Sequence, residues 1–308
     1  MSRKSFFYLF VAAILVIGTA PAFSEVIQFQ QGVSPTAAYA GCQDAHIISW
    51  DNSENQLSRN PDGTNAGSDP STPAVPGGNA QNAGAHAYIE EGDYGTSGIL
   101  TNDSKVILIK FDVSSIAAAQ ANRVRSAQVQ LYFSHERSAG GDGQGPTNPA
   151  AGKKQPHLVN AQPILRAWSE GTGGGSGSNV DGVDAPDNSG AVSWNSTGAE
   201  LWEAIGAEGP TDVGPVESST YFDPTIPGHW VSFDVTRMAR RWIANPASNN
   251  GVKLSQETDN VPENPATSYV GGAYNFVSRN NTNTANRPLL KVDLAGASNV
   301  GEEWSVYN

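Results

Sequence analysis

WVSFDVTRMARRWIANPASNNGVKLS, residues 230–255, changes its apolar period twice, and the fold class follows from those changes. Trp230, Ser232 and Asp234 alternate with Val231, Phe233 and Val235. A period of two, rich in aromatic and β-branched residues, predicts a half-buried strand. From Thr236, which can cap a helix, Met238, Trp242 and Ile243 recur about a turn apart with Arg237, Arg240 and Arg241 between them. Asn245-Pro246 ends that helix and Asn250-Gly251 makes the next turn. Val252 and Leu254 then begin a second strand. The unit is strand, short amphipathic helix, turn, strand.

Working outward, the same short strands and Gly/Pro/Asn turns recur along the chain. Strands are predicted at 26–29, 45–50, 85–90, 127–134, 157–168, 192–195, 274–278 and 289–294. Residues 105–111, KVILIKF, are apolar or long-stemmed throughout, so this strand is predicted to be buried on both faces. Residues 213–221 and 229–235 are predicted to pair with each other. Short helical turns are expected near 112–119 and 200–207. Residues 53–84, 139–154 and 171–190 are Gly/Asn/Pro-rich insertion loops, too polar to build a core. The pattern predicts an all-β fold, a jelly-roll-type β-sandwich with one or two short helices, in a single domain over 25–294 with a tail at 295–308.

The start of the chain sets the compartment. Arg3 and Lys4 precede an apolar run over 6–17, then the small residues Ala20, Ala22 and Ser24. This is the pattern of a secretory signal peptide over 1–24, and the run is too short to span a bilayer. The expected location is therefore extracellular or at the cell surface, with no membrane span after cleavage. The small-residue run before Cys42 lies too far from the apolar region for a lipoprotein signal. Cys42 is the only cysteine, so no disulfide forms within the chain. The formal charge is −12, from 18 basic and 30 acidic residues. That balance argues against a nucleic-acid partner and fits a surface that attracts cations.

Four segments resemble the DNRLRE family of secreted β-sandwich modules, related to alginate-binding carbohydrate-binding modules. They are YGTSGILTNDSKVILIKFDVSSI (94–116), ILRAWSEGT (164–172), the FDVT…W…NNG pattern of 233–251, and FVSRNNTNTANRPLLKVDL (276–294). They stand in the family's order, with Asn280 where the family carries an acidic residue. The resemblance implies a non-catalytic module that binds an extracellular polysaccharide. The alternatives are a structural or adhesive protein of the cell surface or matrix, with a surface-assembly partner, or a polysaccharide-degrading enzyme.

Sugar recognition needs aromatic planes and hydrogen-bonding groups, and a uronate adds the need for Arg or Lys. Trp168, Trp230 and Trp242 sit in packing motifs and are expected in the core. Trp50, Trp194 and Trp202 flank loops and are expected to be more exposed, as is Tyr274. The candidate ligand-binding residues are Trp50, Arg166, Trp194, Lys253, Tyr274, Arg279 and Arg287, the last two on the Ser-Arg segment. Calcium, with oxygen ligands from loops, is the expected structural ion, and Asp44, Asp51, Asp93 and Asp112 are the candidate ligands. No G-x-S-x-G, H-E-x-x-H or phosphate-binding loop is present, and the five histidines are widely spaced. Glu170 falls in the WSEGT segment, where a turn role is expected.

Overall fold

The computed structural model describes residues 24–49, 80–82, 84–94, 103–137, 156–172, 183–184, 190–256 and 273–296. Residues 1–23, within the expected signal peptide, most of the three expected insertion loops and the residues beyond 296 lie outside them. Thirteen strands join in one curled sheet in which every ladder is antiparallel. They are β1 (Glu25–Gln30), β2 (Cys42–Ser49), β3 (Ala80–Asn82), β4 (Tyr88–Tyr94), β5 (Asp103–Phe111), β6 (Val124–Arg137), β7 (His157–Pro163), β8 (Val183–Asp184), β9 (Ser218–Phe222), β10 (His229–Asp234), β11 (Val252–Gln256), β12 (Ala273–Val277) and β13 (Leu289–Leu294). The fold is all-β, as its alternating apolar pattern dictates.

Two groups of strands face each other across the main core. On one side β1, β13, β6 and β10 lie in that order, and β6 is long enough to carry β13 and then β12 along one edge. On the other side are β2, β5, β11, β7 and β9. β12 and β4 carry the ladder from the far end of β6 to the start of β5. Phe29, Val129, Phe133, Phe233, Leu290 and Val292 from the first group meet Ile107, Ile109, Val159, Phe222 and Leu254 from the second. Alternation places these residues on one face of each strand. On the open side, β9 and β10 approach through side chains: Ser218 Oγ donates to Asp234 O at 2.7 Å and Thr220 Oγ1 to Ser232 O at 3.1 Å. The expected pairing of 213–221 with 229–235 is corrected here. The alternation was right, but β9 ladders with β7 and β10 with β6.

A second apolar layer covers the outer face of β2 and β5. Ala45, Ile47, Val106 and Leu108 pack under Trp168, Val192, Trp194, Trp202, Ala207 and Val213. β5 is therefore buried on both faces, as its unbroken apolar run predicts. The covering segment, 190–214, holds turns and isolated bridges; the strand expected at 192–195 and the helical turn expected at 200–207 do not form. Asp212 fixes it by accepting the backbone amides of Glu203, Ala204 and Gly209.

The helix of the opening stretch, α1 (Thr236–Ala244), buries Met238, Ala239, Trp242 and Ile243 in the main core. Thr236 does not cap it. Its hydroxyl receives the Ala127 amide at 2.9 Å, and Asp234 Oδ1 accepts the Thr236 amide at 2.8 Å instead. The Asn-Asn-Gly turn that follows is tightly bonded. Asn249 Nδ2 donates to Phe111 O, and Trp168 Nε1 to Asn250 O, both at 2.8 Å. Gly251 has φ +87°, and a Cβ there would lie 2.3 Å from Ile109 O, so only glycine fits. Among the described residues no helix is long and apolar enough to cross a membrane.

Trp242 is only 2% exposed and is the largest side chain that α1 inserts into the core. Trp242→Ala is expected to lower unfolding stability by about 3–5 kcal/mol, measured by urea titration of the mature chain. A loss under about 1 kcal/mol would show that the helix is dispensable to the core.

Candidate functional site

Two of the quoted sequence segments, far apart in the chain, meet strand β2 at one buried point. β2 supplies Asp44, the WSEGT turn supplies Glu170, and the Ser-Arg segment after β12 supplies Arg279. The Arg279 guanidinium grips Glu170 in a fork, Nε on Oε1 and Nη2 on Oε2. The Arg279 amide donates to Asp44 Oδ2 at 2.7 Å, and the Asp44 amide donates to Glu170 Oε1 at 3.1 Å. Each of the three residues thus touches the other two.

The surrounding backbone is fastened to the same point. A Cβ on Gly84 would lie 2.0 Å from Glu170 O, so this close approach requires glycine. Asn280 Nδ2 donates to Gly84 O at 2.9 Å and Asn281 Nδ2 to Ala87 O at 3.1 Å. Arg287 Nε donates to Asn281 O at 2.8 Å and Nη1 to Gln31 O at 3.1 Å. The site holds together β2, the turn before β4, the WSEGT turn and the segment leading into β13.

Its electrostatics follow from burial. Asp44 is fully buried and bonded to the Arg279 backbone amide, while Glu170 takes the guanidinium. Burial first, and then the Glu170 charge, raise the Asp44 carboxyl against the opposing Arg279 amide and the Arg279 and Arg287 charges, and the balance leaves it at about 8. Burial also raises Glu170, against the hydrogen bonds from Arg279 and Asp44. Among the described residues Asp44 Oδ1 has no hydrogen-bond partner. The arrangement sets a buried carboxyl, shifted toward its neutral form, beside a Glu–Arg ion pair. It can bind a proton and clamp four chain segments. Burial raises the nearby Cys42 thiol as well, so that sulfur is poorly nucleophilic.

Two more buried ionic contacts lie near the start of β4. Lys105 Nζ donates to Glu90 Oε2 at 2.5 Å. Glu91 Oε1 lies 3.1 Å from His157 Nε2, and the His157 ring stacks on Tyr274 at 5.2 Å.

The predicted ligand-binding residues do not form one exposed face. Tyr274 is in the main core at 1% exposure, and Trp194 is in the second layer at 8%. Both were expected near the surface, as was Trp202, which is also buried; their flanking segments fold over the sheet. Trp230, expected in the core, is 37% exposed and packs edge-on against Tyr132. Lys253 is buried beneath 190–214 and donates to Ala207 O at 3.2 Å, and burial lowers its pKa. Arg166 donates to Leu201 O at 2.6 Å and lies 3.5 Å from Asp212. Arg279 and Arg287 hold the cluster and its turn. Of the calcium candidates, Asp44 is committed to Arg279, and Asp112 Oδ1 accepts the Ser114 amide at 2.9 Å. Asp93 lies in β4, with its side chain outside the described set, and Trp50 and Asp51 lie outside the described residues. Among the described residues no three acidic, histidine or cysteine side chains converge as a metal site.

A family model described as TGF-beta propeptide matches residues 223–291. That is under a quarter of the chain, and it spans β10, α1, β11, β12 and the start of β13. No curated protein matches the chain. The match overturns the resemblance to the DNRLRE family, because two of the segments that carried it, 233–251 and most of 276–294, lie inside the matched region. The carbohydrate-binding role falls with it, and neither the adhesive nor the degradative alternative is supported. Those segments encode turns, caps and buried strands, which many β proteins share. The extracellular placement read from the leader is supported in general terms by the match.

The raised Asp44 value generates a pH dependence. The folded state holds a proton that the unfolded chain releases, so this contribution to stability is whole below the ordinary aspartate value. It falls as pH rises and is gone above about 8. Asp44→Asn keeps the shape and fixes the neutral form. Thermal melts from about pH 4 to 9 should show the wild type losing stability relative to the variant as pH rises, with the variant the more stable above about pH 8. Parallel curves would mean that Asp44 is ionised in the fold.

Proposed function

We propose that the chain works as a propeptide-type domain of a secreted growth-factor precursor: a non-catalytic β fold that engages a polypeptide. The observation that carries this reading is the family-model match over 223–291, which takes in the strand–helix–strand unit at the heart of the main core.

The fate of the polar groups supports the non-catalytic part. Asp44 and Glu170, whose carboxyls burial raises, are locked against Arg279 in a structural clamp. An enzyme of the kind considered above would set such groups in a cleft open to substrate. The described residues proposed to meet sugar are spent on internal bonds or buried.

Strand β1 supports the polypeptide part. Among the described residues it ladders with β13 along one edge, and its other edge carries only the Gln30–Ser34 bridge. The Gln30 amide points away from β13, since it donates to Ser34 O at 2.8 Å. Strand alternation then turns the amides of Val26 and Gln28 the same way. The strand reads EVIQFQ, without the Lys or Pro that blunts a free edge, and Val26 is 56% exposed. Such an edge accepts an extended polypeptide as an added strand.

The test is direct. The mature chain, mixed with a TGF-beta-class growth factor, should co-elute from a sizing column and bind with a Kd below about 1 μM by calorimetry. Gln28→Pro removes one outward amide without touching the β13 ladder, and should weaken binding by at least about tenfold with melting unchanged. Absence of a complex at about 10 μM would refute the reading, as would turnover of a polysaccharide by the purified chain.

A further inference from the structure

The outward face of α1 is made almost entirely of arginine. Met238, Ala239, Trp242 and Ile243 point into the core, and Arg237, Arg240 and Arg241 stand exposed on the opposite stripe. The fold adds two more. Arg240 donates through Nε and Nη2 to Val124 O, at 3.0 and 2.6 Å, which brings the helix against the start of β6. Arg123 and Arg125 flank that same residue. Five of the chain's 18 basic residues are thus gathered at one end of a protein whose formal charge is −12.

Most of this charge is positioned but not neutralised. Arg123 Nε donates to Ala295 O at 2.8 Å, and Arg240 is held by Val124 O. A carbonyl fixes a guanidinium without cancelling its charge. Arg241 is paired, with Glu217 Oε1 at 2.5 Å. The Arg125 and Arg237 side chains are exposed and make no hydrogen bond or ion pair among the described residues. The other carboxylates bordering the patch are Glu25 and Asp293, on the strands laddered beside the start of β6, and Asp234, which is engaged by the start of α1. Lys291, on β13, adds a sixth cation.

We propose that the arginine stripe of α1, together with Arg123 and Arg125, is a docking surface for a short acidic peptide segment. Planar guanidiniums held in fixed positions suit carboxylates, which accept two parallel N–H bonds from each fork. The size of the patch selects the class of partner. A nine-residue helix is about 13 Å long. Charges separated by more than about 8 Å are largely screened at physiological salt. A run of a few Glu or Asp residues fits within that footprint. A long polyanion, whether nucleic acid or anionic polysaccharide, runs beyond it onto a surface of opposite preference. The inference rests on this charge distribution alone and is independent of the propeptide reading.

The experiment is fluorescence anisotropy with a labelled hexaglutamate peptide on the mature chain, at about 20 and about 300 mM NaCl. Saturable binding is expected at low salt and should be lost at high salt. Arg125→Glu with Arg237→Glu should raise Kd by at least about tenfold, while a Lys110→Glu control, with its charge removed from another face, stays within about twofold. Melting curves of both variants should match the wild type, since neither arginine has a partner to lose. Absence of saturable binding at low salt would overturn the proposal, and so would equal weakening in the control. Tighter binding of an oligonucleotide or an alginate fragment than of hexaglutamate would overturn the assignment to an acidic peptide.

Discussion

Strand β5 has no face left for water. Its residues alternate between Ile107, Ile109 and Phe111, which enter the main core, and Val106 and Leu108, which enter the second layer. A sheet that buries both sides of a strand must be covered twice. The first cover is the opposing group of strands around β6 and β13. The second is the irregular segment 190–214, which has little regular structure and takes its order from Asp212 and from the tryptophans packed beneath it. The same constraint explains why Lys253 is inside: it stands beside Leu108 across the β5–β11 ladder, so the second cover closes over it.

Covering a strand twice with loops leaves polar backbone and charged side chains in places that water does not reach. The molecule handles this with compact ionic clamps. Asp44, Glu170 and Arg279 bond one another across three chain segments, and burial shifts the Asp44 carboxyl toward its neutral form. Lys105 and Glu90 neutralise each other at the start of β5. A buried pair of this kind is weak evidence for net stability, because desolvation offsets most of the attraction. Its value here is positional, since it sets which turn meets which strand.

That distinction explains why resemblance misled on function and not on architecture. The WSEGT, Asn-Asn-Gly and Ser-Arg segments share one property: each places a turn or charged group against the sheet. Glu170 and Arg279 make the clamp, Gly251 makes a turn that no other residue fits, and Asn249 caps the end of β5. Segments conserving such geometry identify how a β fold is assembled and say little about what it binds. The exposed features proposed to meet partners, the outer edge of β1 and the arginine face of α1, lie largely in what those motifs leave unspecified.

Periodicity by itself determined the all-β class, the two-sided burial of β5, the amphipathic helix of the opening stretch and the position of most strands. These are local properties, fixed by which side chains in a short window must leave water. Only the tertiary structure decided that β9 joins β7 and β10 joins β6. Alternation gives a strand a face but does not name its neighbour. Only the tertiary structure, likewise, put Trp194 inside and Trp230 outside, and turned Asp44, Glu170 and Arg279 from three unrelated polar residues into one ionic clamp. Burial and charge proximity arise when distant segments meet, and no window of sequence contains that meeting.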